Sequence, residues 1–195
     1  MKKDIILAGV GGQGILSIAT VIGEAAVRAG IHLKQAEVHG MSQRGGDVQS
    51  NLRLSTELIH SDLIPQRQAD LIIAMEPMEA LRYLPWLGNN GWVVTAEQPF
   101  INIPNYPDTN ALHQALARLP HLRMADIDAE AKKLGMPKGA NMILLGMAAS
   151  YIELLSPENL RTAIAHIFAA KGDAIISKNQ QAFDLGLNMN IHEDI

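Results

Sequence analysis

The 195-residue chain is 48% hydrophobic and 18% charged, a composition that buries a sizeable core and fits one domain of the usual size, roughly 100–200 residues. Its 20 acidic residues against 16 basic ones give a net charge of -4, which argues against nucleic acid as the main partner because phosphate binding needs a basic face. With no cysteine, the chain holds no disulfide, no cysteine-ligated iron–sulfur cluster and no cysteine-based structural zinc site. Aromatic residues are 4% of the total, so the core is aliphatic and rich in methionine.

Lys2-Lys3 followed by Ile5-Ile6-Leu7-Ala8 has the outline of a signal peptide, but Asp4 and the glycines at 9, 11, 12 and 14 interrupt it. No continuous apolar stretch of about 7–15 residues forms, and none approaches the ~20 residues of a membrane span. The expected location is the cytoplasm, with no membrane partner. Residues 4–8 are an apolar run ending in glycines, as in a strand buried on both faces of a parallel sheet. Ile15 to Ala29 is helix-length, with Gly30 as its stop, and 32–39 read as a second strand, so the first forty residues predict a βαβ unit.

Residues 40–46 form a loop, and 47–54 alternate Val48, Ser50, Leu52 and Leu54 with Gln49, Asn51 and Arg53 as a further strand, antiparallel or at an edge. A buried strand is expected over 69–75, a short helix over 76–87 opened by Pro77, and a strand over 91–95. The stretch 97–110 holds Pro99, Pro104 and Pro107 and reads as loop. Helices over 110–119 and 126–134 flank a strand near 121–126, and 141–155 is apolar enough for a buried helix. Ser156-Pro157-Glu158 starts another helix, and a last one lies near 179–185. The implied fold class is α/β, a three-layer α/β/α arrangement over residues 1–195 as a single domain, with a mostly parallel, mixed sheet and a Rossmann-like N-terminal βαβ.

Gly9-Val10-Gly11-Gly12-Gln13-Gly14 matches G-x-G-x-x-G between a predicted strand and a predicted helix. Glu37 follows Gly14 by 23 residues (37 − 14), near the ~20-residue offset of the ribose-binding acid in dinucleotide folds. Glycines let backbone amides approach a phosphate, and the helix N-terminus adds partial positive charge. This supports a self-contained NAD- or FAD-binding oxidoreductase module. The other reading is that the glycines serve a tight turn and close packing, because Gly12 and Gln13 occupy positions that dinucleotide turns leave free. A plain interaction module with no ligand is a third reading.

Glu37-Val38-His39-Gly40-Met41-Ser42-Gln43-Arg44-Gly45-Gly46 surrounds one cation with glycines and adds the hydrogen-bonding groups of Ser42 and Gln43. Leaving the C-terminal end of the second strand, this loop is expected beside the first glycine turn, at the sheet edge where such folds bind ligands. The two loops with Arg44 between them make an anion or partner site. Glu37 and His39, two apart on a strand, are read as a polar pair rather than metal ligands. Asp126, Asp128 and Glu130 are read as a helix cap and first turn rather than a magnesium site. The seven histidines lack ligand spacing, and no Gly-x-Ser-x-Gly nucleophile elbow occurs. Met142 and Met147 are assigned to core, while Trp86 and Trp92 around Gly88-Asn89-Asn90-Gly91 suit either packing or an interface.

Together the two loops resemble the gamma domain of 2-oxoacid:ferredoxin oxidoreductases. So do Ala69-Asp70 through Met75-Glu76-Pro77-Met78-Glu79-Ala80-Leu81-Arg82, Asn141 through Gly146, and Gln181-Ala182-Phe183-Asp184-Leu185-Gly186. The resemblance spans essentially the whole chain, and within the family it is most similar to the small subunit of the indolepyruvate-specific enzymes. It implies the fold of domain III of pyruvate:ferredoxin oxidoreductase. It also implies a holoenzyme that oxidatively decarboxylates a 2-oxoacid with coenzyme A to acyl-CoA, carbon dioxide and reduced ferredoxin. Thiamine diphosphate, Mg and 4Fe-4S clusters would reside in a large partner subunit, with ferredoxin as acceptor. This chain, inactive by itself, would be a hetero-oligomer subunit, or a homodimer when isolated. The absence of cysteine and of a Gly-Asp-Gly thiamine-diphosphate motif agrees with that division. The residues expected to face coenzyme A or the partner are Gly9, Gly11, Gly12, Gln13, Gly14, Glu37, His39, Gly40, Met41, Ser42, Gln43, Arg44, Gly45 and Gly46; none is assigned a catalytic role.

Overall fold

A computed structural model describes residues 1–39 and 46–189, with His39 described through its backbone alone. Among the described residues six strands form one mixed sheet: β1 (Lys2–Val10), β2 (His32–His39), β3 (Asp47–Ser55), β4 (Ala69–Ala74), β5 (Leu87–Ala96) and β6 (Leu122–Ala125). Seven α-helices accompany them among the described residues: α1 (Ile15–Arg28), α2 (Pro77–Arg82), α3 (Thr109–Leu116), α4 (Ile127–Lys133), α5 (Ala140–Ile152), α6 (Pro157–Ile167) and α7 (Asp173–Met189). No helix among the described residues is long and apolar enough to cross a membrane.

The strand order is β2-β3-β1-β4-β5-β6. β1, β4, β5 and β6 run parallel, whereas β3 pairs antiparallel with both β1 and β2. This corrects one expectation. β1-α1-β2 crosses over as predicted, but β2 does not lie beside β1, because β3 turns back and inserts between them. β3 is therefore antiparallel but interior, and β2 is the edge. The burial pattern agrees: β1 is buried from Lys3 to Val10, whereas β2 exposes the polar His32, Lys34 and Glu37, the dressing of an edge strand.

Successive residues of β1 serve opposite faces. Ile5 and Leu7 join Leu71, Ile73 and Val94 beneath α1, α5, α6 and α7, while Ile6 and Ala8 join Ile72, Ala74, Ala80, Tyr83 and Leu116 beneath α2 and α3. The helices thus occupy both faces, with the larger core on the α5 side. α5 is apolar all round because it is enclosed: ten of its residues are buried, Met142 and Met147 among them. It crosses α7 where Gly146 meets Gly186; a Cβ on either would lie 2.0 Å from the Phe183 carbonyl oxygen or 1.9 Å from that of Ile143.

The sequence start signals act as read. Ser156 and Asn159 form a capping box on α6, and Asp126 accepts the Ala129 N–H at 2.8 Å to cap α4. The predicted 76–87 helix is shorter than expected. It ends at Arg82, and a separate 3-10 turn over Leu84–Trp86 leads into β5, which starts at Leu87 rather than residue 91. The last helix is longer than expected, beginning at Asp173.

Candidate functional site

The C-terminal ends of β1 and β4 and the N-terminal end of β3 meet at one sheet edge, because β3 is antiparallel. There the chain leaves β1 through Gly11 to Gly14 and enters α1. Gly12 has φ +102° and Gly14 φ +86°, a region L side chains rarely adopt. A Cβ on Gly14 would also lie 2.7 Å from Asn141 Nδ2. Gly14 caps α1 without any side-chain hydrogen bond, and the first turn of α1 holds no acidic residue. The backbone N–H groups of its first turn and its positive dipole end are suited to an anion.

The two glycine loops are joined. Gly11 donates its N–H to the Gly46 carbonyl at 2.8 Å. Gly9, Gly11, Gly12, Gln13, Gly14 and Gly46 therefore sit together. Glu37 does not: β3 separates its strand from β1, about 10 Å at the usual strand spacing. It is exposed and accepts a hydrogen bond from Gln35 Nε2. A ribose-binding acid works from the strand adjacent to the glycine turn, so the sheet order withdraws the support that Glu37 lent to a dinucleotide module. His39 is the last residue of β2. Gly40, Met41, Ser42, Gln43, Arg44 and Gly45 lie outside the described residues.

Gln13, expected to face a ligand or partner, is turned inward in part. Its Oε1 accepts the Val10 N–H at 2.7 Å and its Nε2 donates to the Met75 carbonyl at 3.1 Å. The side chain thereby ties the glycine turn to the end of β4. On the other side of the turn, Asn141 at the start of α5 donates Nδ2 to the Gly14 carbonyl at 3.2 Å.

Several residues at this edge have no site role in the sequence reading, where Glu76, Glu79 and Arg82 enter only through the family resemblance. Glu76, fully buried, accepts the Glu79 N–H at 2.9 Å, capping α2. Its other oxygen accepts the Phe100 N–H at 3.4 Å and the Tyr106 hydroxyl. One buried carboxylate thus fastens the proline-rich loop after β5 beside the glycine turn. Glu79, also buried, receives Arg82 through Nε at 2.8 Å and Nη2 at 3.1 Å. Burial raises the Glu79 carboxyl above its ordinary range, and the Arg82 contact opposes that rise. Burial together with the charges of Glu79 and Asp47 pushes the Tyr83 hydroxyl up to about 12. Burial and the Glu76 carboxylate push Tyr106 further upward. Pro77 is a readable helix-start signal; nothing local in the sequence points Glu76 at Tyr106.

Among the described residues no three His, Asp or Glu side chains converge to hold a metal. With no cysteine among the 195 residues, they supply no thiolate ligand for a cluster. The arrangement suits binding and positioning: bare backbone amides at a helix N-terminus, flanked by a clamped loop.

Comparison with known proteins agrees with this architecture. The indolepyruvate oxidoreductase subunit IorB of Archaeoglobus fulgidus is 33% identical, the match covering 98% of this chain and 96% of that protein. The 2-oxoglutarate synthase subunit KorC of Methanothermobacter marburgensis is 26% identical, over 95% of each. Among solved structures, a 2-oxoglutarate:ferredoxin oxidoreductase from Magnetococcus marinus, with 2-oxoglutarate, coenzyme A and succinyl-CoA bound, superposes with a TM-score of 0.75 at 20% identity. That match covers 96% of this chain and 31% of the larger one. The gamma subunit of a keto/oxoacid ferredoxin oxidoreductase from Geobacter sulfurreducens gives a TM-score of 0.69 at 22% identity, covering 97% and 98%. These two share the mixed α/β fold. Residues 4–189 match the family described as pyruvate ferredoxin/flavodoxin oxidoreductase, and the chain belongs to that family.

Proposed function

We propose that this chain is the small subunit of a cytoplasmic indolepyruvate:ferredoxin oxidoreductase. Its role is to complete the architecture around a large subunit that carries thiamine diphosphate, Mg and the 4Fe-4S clusters. The chain offers no cysteine and, among its described residues, no acid–histidine cluster for such groups; its own contribution is to bind and orient. The indolepyruvate assignment is supported by the 33% identity to IorB against 26% to KorC, each over nearly the full chain.

The observation that carries the proposal is the hydrogen bond from Gly11 to Gly46, which ties the last residue of the second glycine loop to the first glycine turn, beside the N-terminus of α1. That surface faces coenzyme A phosphates or the large subunit near its cofactor, with Arg44 as the charge-assisted donor. Thiamine diphosphate supplies the carbanion chemistry of decarboxylation when bound in the partner; the role of the glycine loops is to position the coenzyme A thiol.

The test is co-expression with the large subunit, followed by assay of 2-oxoacid- and coenzyme A-dependent ferredoxin reduction. A stable complex is expected, with indolepyruvate turned over in preference to 2-oxoglutarate or pyruvate. Arg44→Ala should raise KM for coenzyme A about tenfold if the loop holds phosphate, the size expected for one charge-assisted contact. It should weaken the complex with KM unchanged if the loop faces the partner. Micromolar binding of NADH or FAD by the isolated chain, or full activity of the large subunit alone, would overturn the proposal.

A further inference from the structure

At the sheet edge opposite the glycine turn, a cavity of about 430 Å³ opens at the N-terminal ends of β1, β4 and β5. Its wall is unusual in three respects. First, β5 leaves register there: Ala69 pairs with Leu87 but Leu71 pairs with Trp92, so Asp70 alone spans the four residues Gly88 to Gly91. A Cβ on Gly91 would lie 2.9 Å from the Ala69 carbonyl oxygen, so bare backbone is required where the excursion closes. Such bulges re-aim groups and recur beside binding sites.

Second, the Lys3 side chain is 10% exposed, and its ammonium lies 2.8 Å from Glu153 Oε1, a carboxylate that is 55% exposed. Third, Arg67 (φ +61°) and Glu153 (φ +59°) are the two non-glycine residues with positive φ among the described residues, and both line this cavity. At Glu153, with ψ -45°, the Leu154 N–H donates to the Ile152 carbonyl at 2.7 Å. That is a three-residue turn of the rare, strained hand. Strain of this kind persists where the surroundings hold it and gathers at ligand clamps. Here the holding contact is the buried Lys3 ammonium, which needs a counter-ion. The Arg67 guanidinium makes no ion pair among the described residues. The Asp70 carboxylate on the same wall accepts the Asp4 N–H at 2.7 Å, directing it toward β1.

We propose that this cavity binds a small oxyanion, a carboxylate or phosphate group, between Lys3 and Arg67, with the carboxamides of Asn89 and Asn90 at its mouth. The anion replaces Glu153 as the counter-ion of Lys3, and Glu153 leaves its strained turn for water. Binding is thus an exchange of one carboxylate for another anion, favoured by release of backbone strain and by the second cation at Arg67.

The test is a 1H–15N NMR titration of the 195-residue chain with inorganic phosphate and, separately, with acetate at constant ionic strength. Saturable shifts at the amides of Asn89, Asn90, Gly91, Glu153 and Leu154 are expected; saturation by one anion alone identifies the class bound. Arg67→Gly removes the cation without straining a positive-φ backbone and should weaken binding about fivefold or more, whereas Glu153→Gly removes the internal competitor and should tighten it by a similar factor. The same spectra report whether each variant is folded. Shifts that do not saturate, that scatter over surface lysines, or that are unchanged in Arg67→Gly would overturn the site. Glu153→Gly binding no tighter than the parent chain would overturn the counter-ion exchange.

Discussion

Gly11 and Gly46 are hydrogen-bonded through their backbones at 2.8 Å, although 35 residues separate them (46 − 11). The contact exists because β3 returns antiparallel beside β1 and brings its first residues level with the end of β1: Val10 pairs with Asp47. A parallel neighbour in that place would have delivered its C-terminal end instead. The contact between Gly11 and Gly46 is thus a product of strand order.

The glycine turn is held by Asn141, and the two positions are coupled. Gly14→Ala introduces a Cβ at φ +86° and 2.7 Å from Asn141 Nδ2, and should destabilise the chain by about 1–3 kcal/mol. Asn141→Ala loses the bond to the Gly14 carbonyl and should cost about 0.5–1.5 kcal/mol. In the double variant the clash is gone, so the combined loss measured by urea unfolding should fall below the sum of the two single losses.

Tyr106→Phe removes a donor from the buried Glu76 carboxylate and should cost about 1–3 kcal/mol. It should also release the loop after β5. Limited proteolysis should then cut between residues 97 and 107 faster than in the parent chain, while cleavage elsewhere is unchanged. An unchanged cleavage pattern would show that Phe100 N–H and the prolines suffice to hold the loop.

Alkaline titration should separate the tyrosines. Burial and the neighbouring acids hold the Tyr83 hydroxyl at about 12 against an ordinary 10.0. Because the folded value is raised, the stabilisation linked to Tyr83 is fully present below pH 10 and is lost as pH rises through about 12. Absorbance at the tyrosinate band should show a step at about 12 that disappears in Tyr83→Phe, while Tyr106 titrates later still in both chains. The same substitution should flatten the loss of stability across that window.

The crossing of α5 and α7 leaves no room for a methyl group. Gly146→Ala or Gly186→Ala would place a Cβ within 2.0 Å or 1.9 Å of a carbonyl oxygen of the facing helix. Backbone cannot yield as a side-chain tip does, so each should cost at least the ~1–3 kcal/mol typical of overpacked cores. Thermal unfolding of either variant should begin well below that of the parent chain. Gly172→Ala, where a Cβ meets nothing within 4 Å but φ is +86°, should cost less.

The local signals in the sequence were reliable where one segment settles its own conformation. Gly12 and Gly14 marked a turn because positive φ selects glycine. Ser156-Pro157-Glu158 and Asp126 marked helix starts because the first N–H groups of a helix need an acceptor nearby. β1 declared itself buried on both faces by its unbroken apolar run. The stretch from Glu76 to Leu87 misled, because Leu84-Pro85-Trp86 folds as a separate turn that periodicity does not distinguish from the helix before it.

What the sequence by itself determined was therefore the order of strands, turns and helices, the composition of the core, and, through the resemblance of its two glycine loops, the family. Which strands are neighbours was decided by tertiary structure. An apolar strand pattern is satisfied by many partners, and only the complete sheet places β3 between β1 and β2 and moves Glu37 away from the glycine turn. The same holds for Glu76 with Tyr106, 30 residues apart, and Asn141 with Gly14, 127 apart. Each is an unremarkable polar residue in its own segment. Burial, which makes an unpaired polar group costly, turns each into a support of the sheet end around the glycine turn.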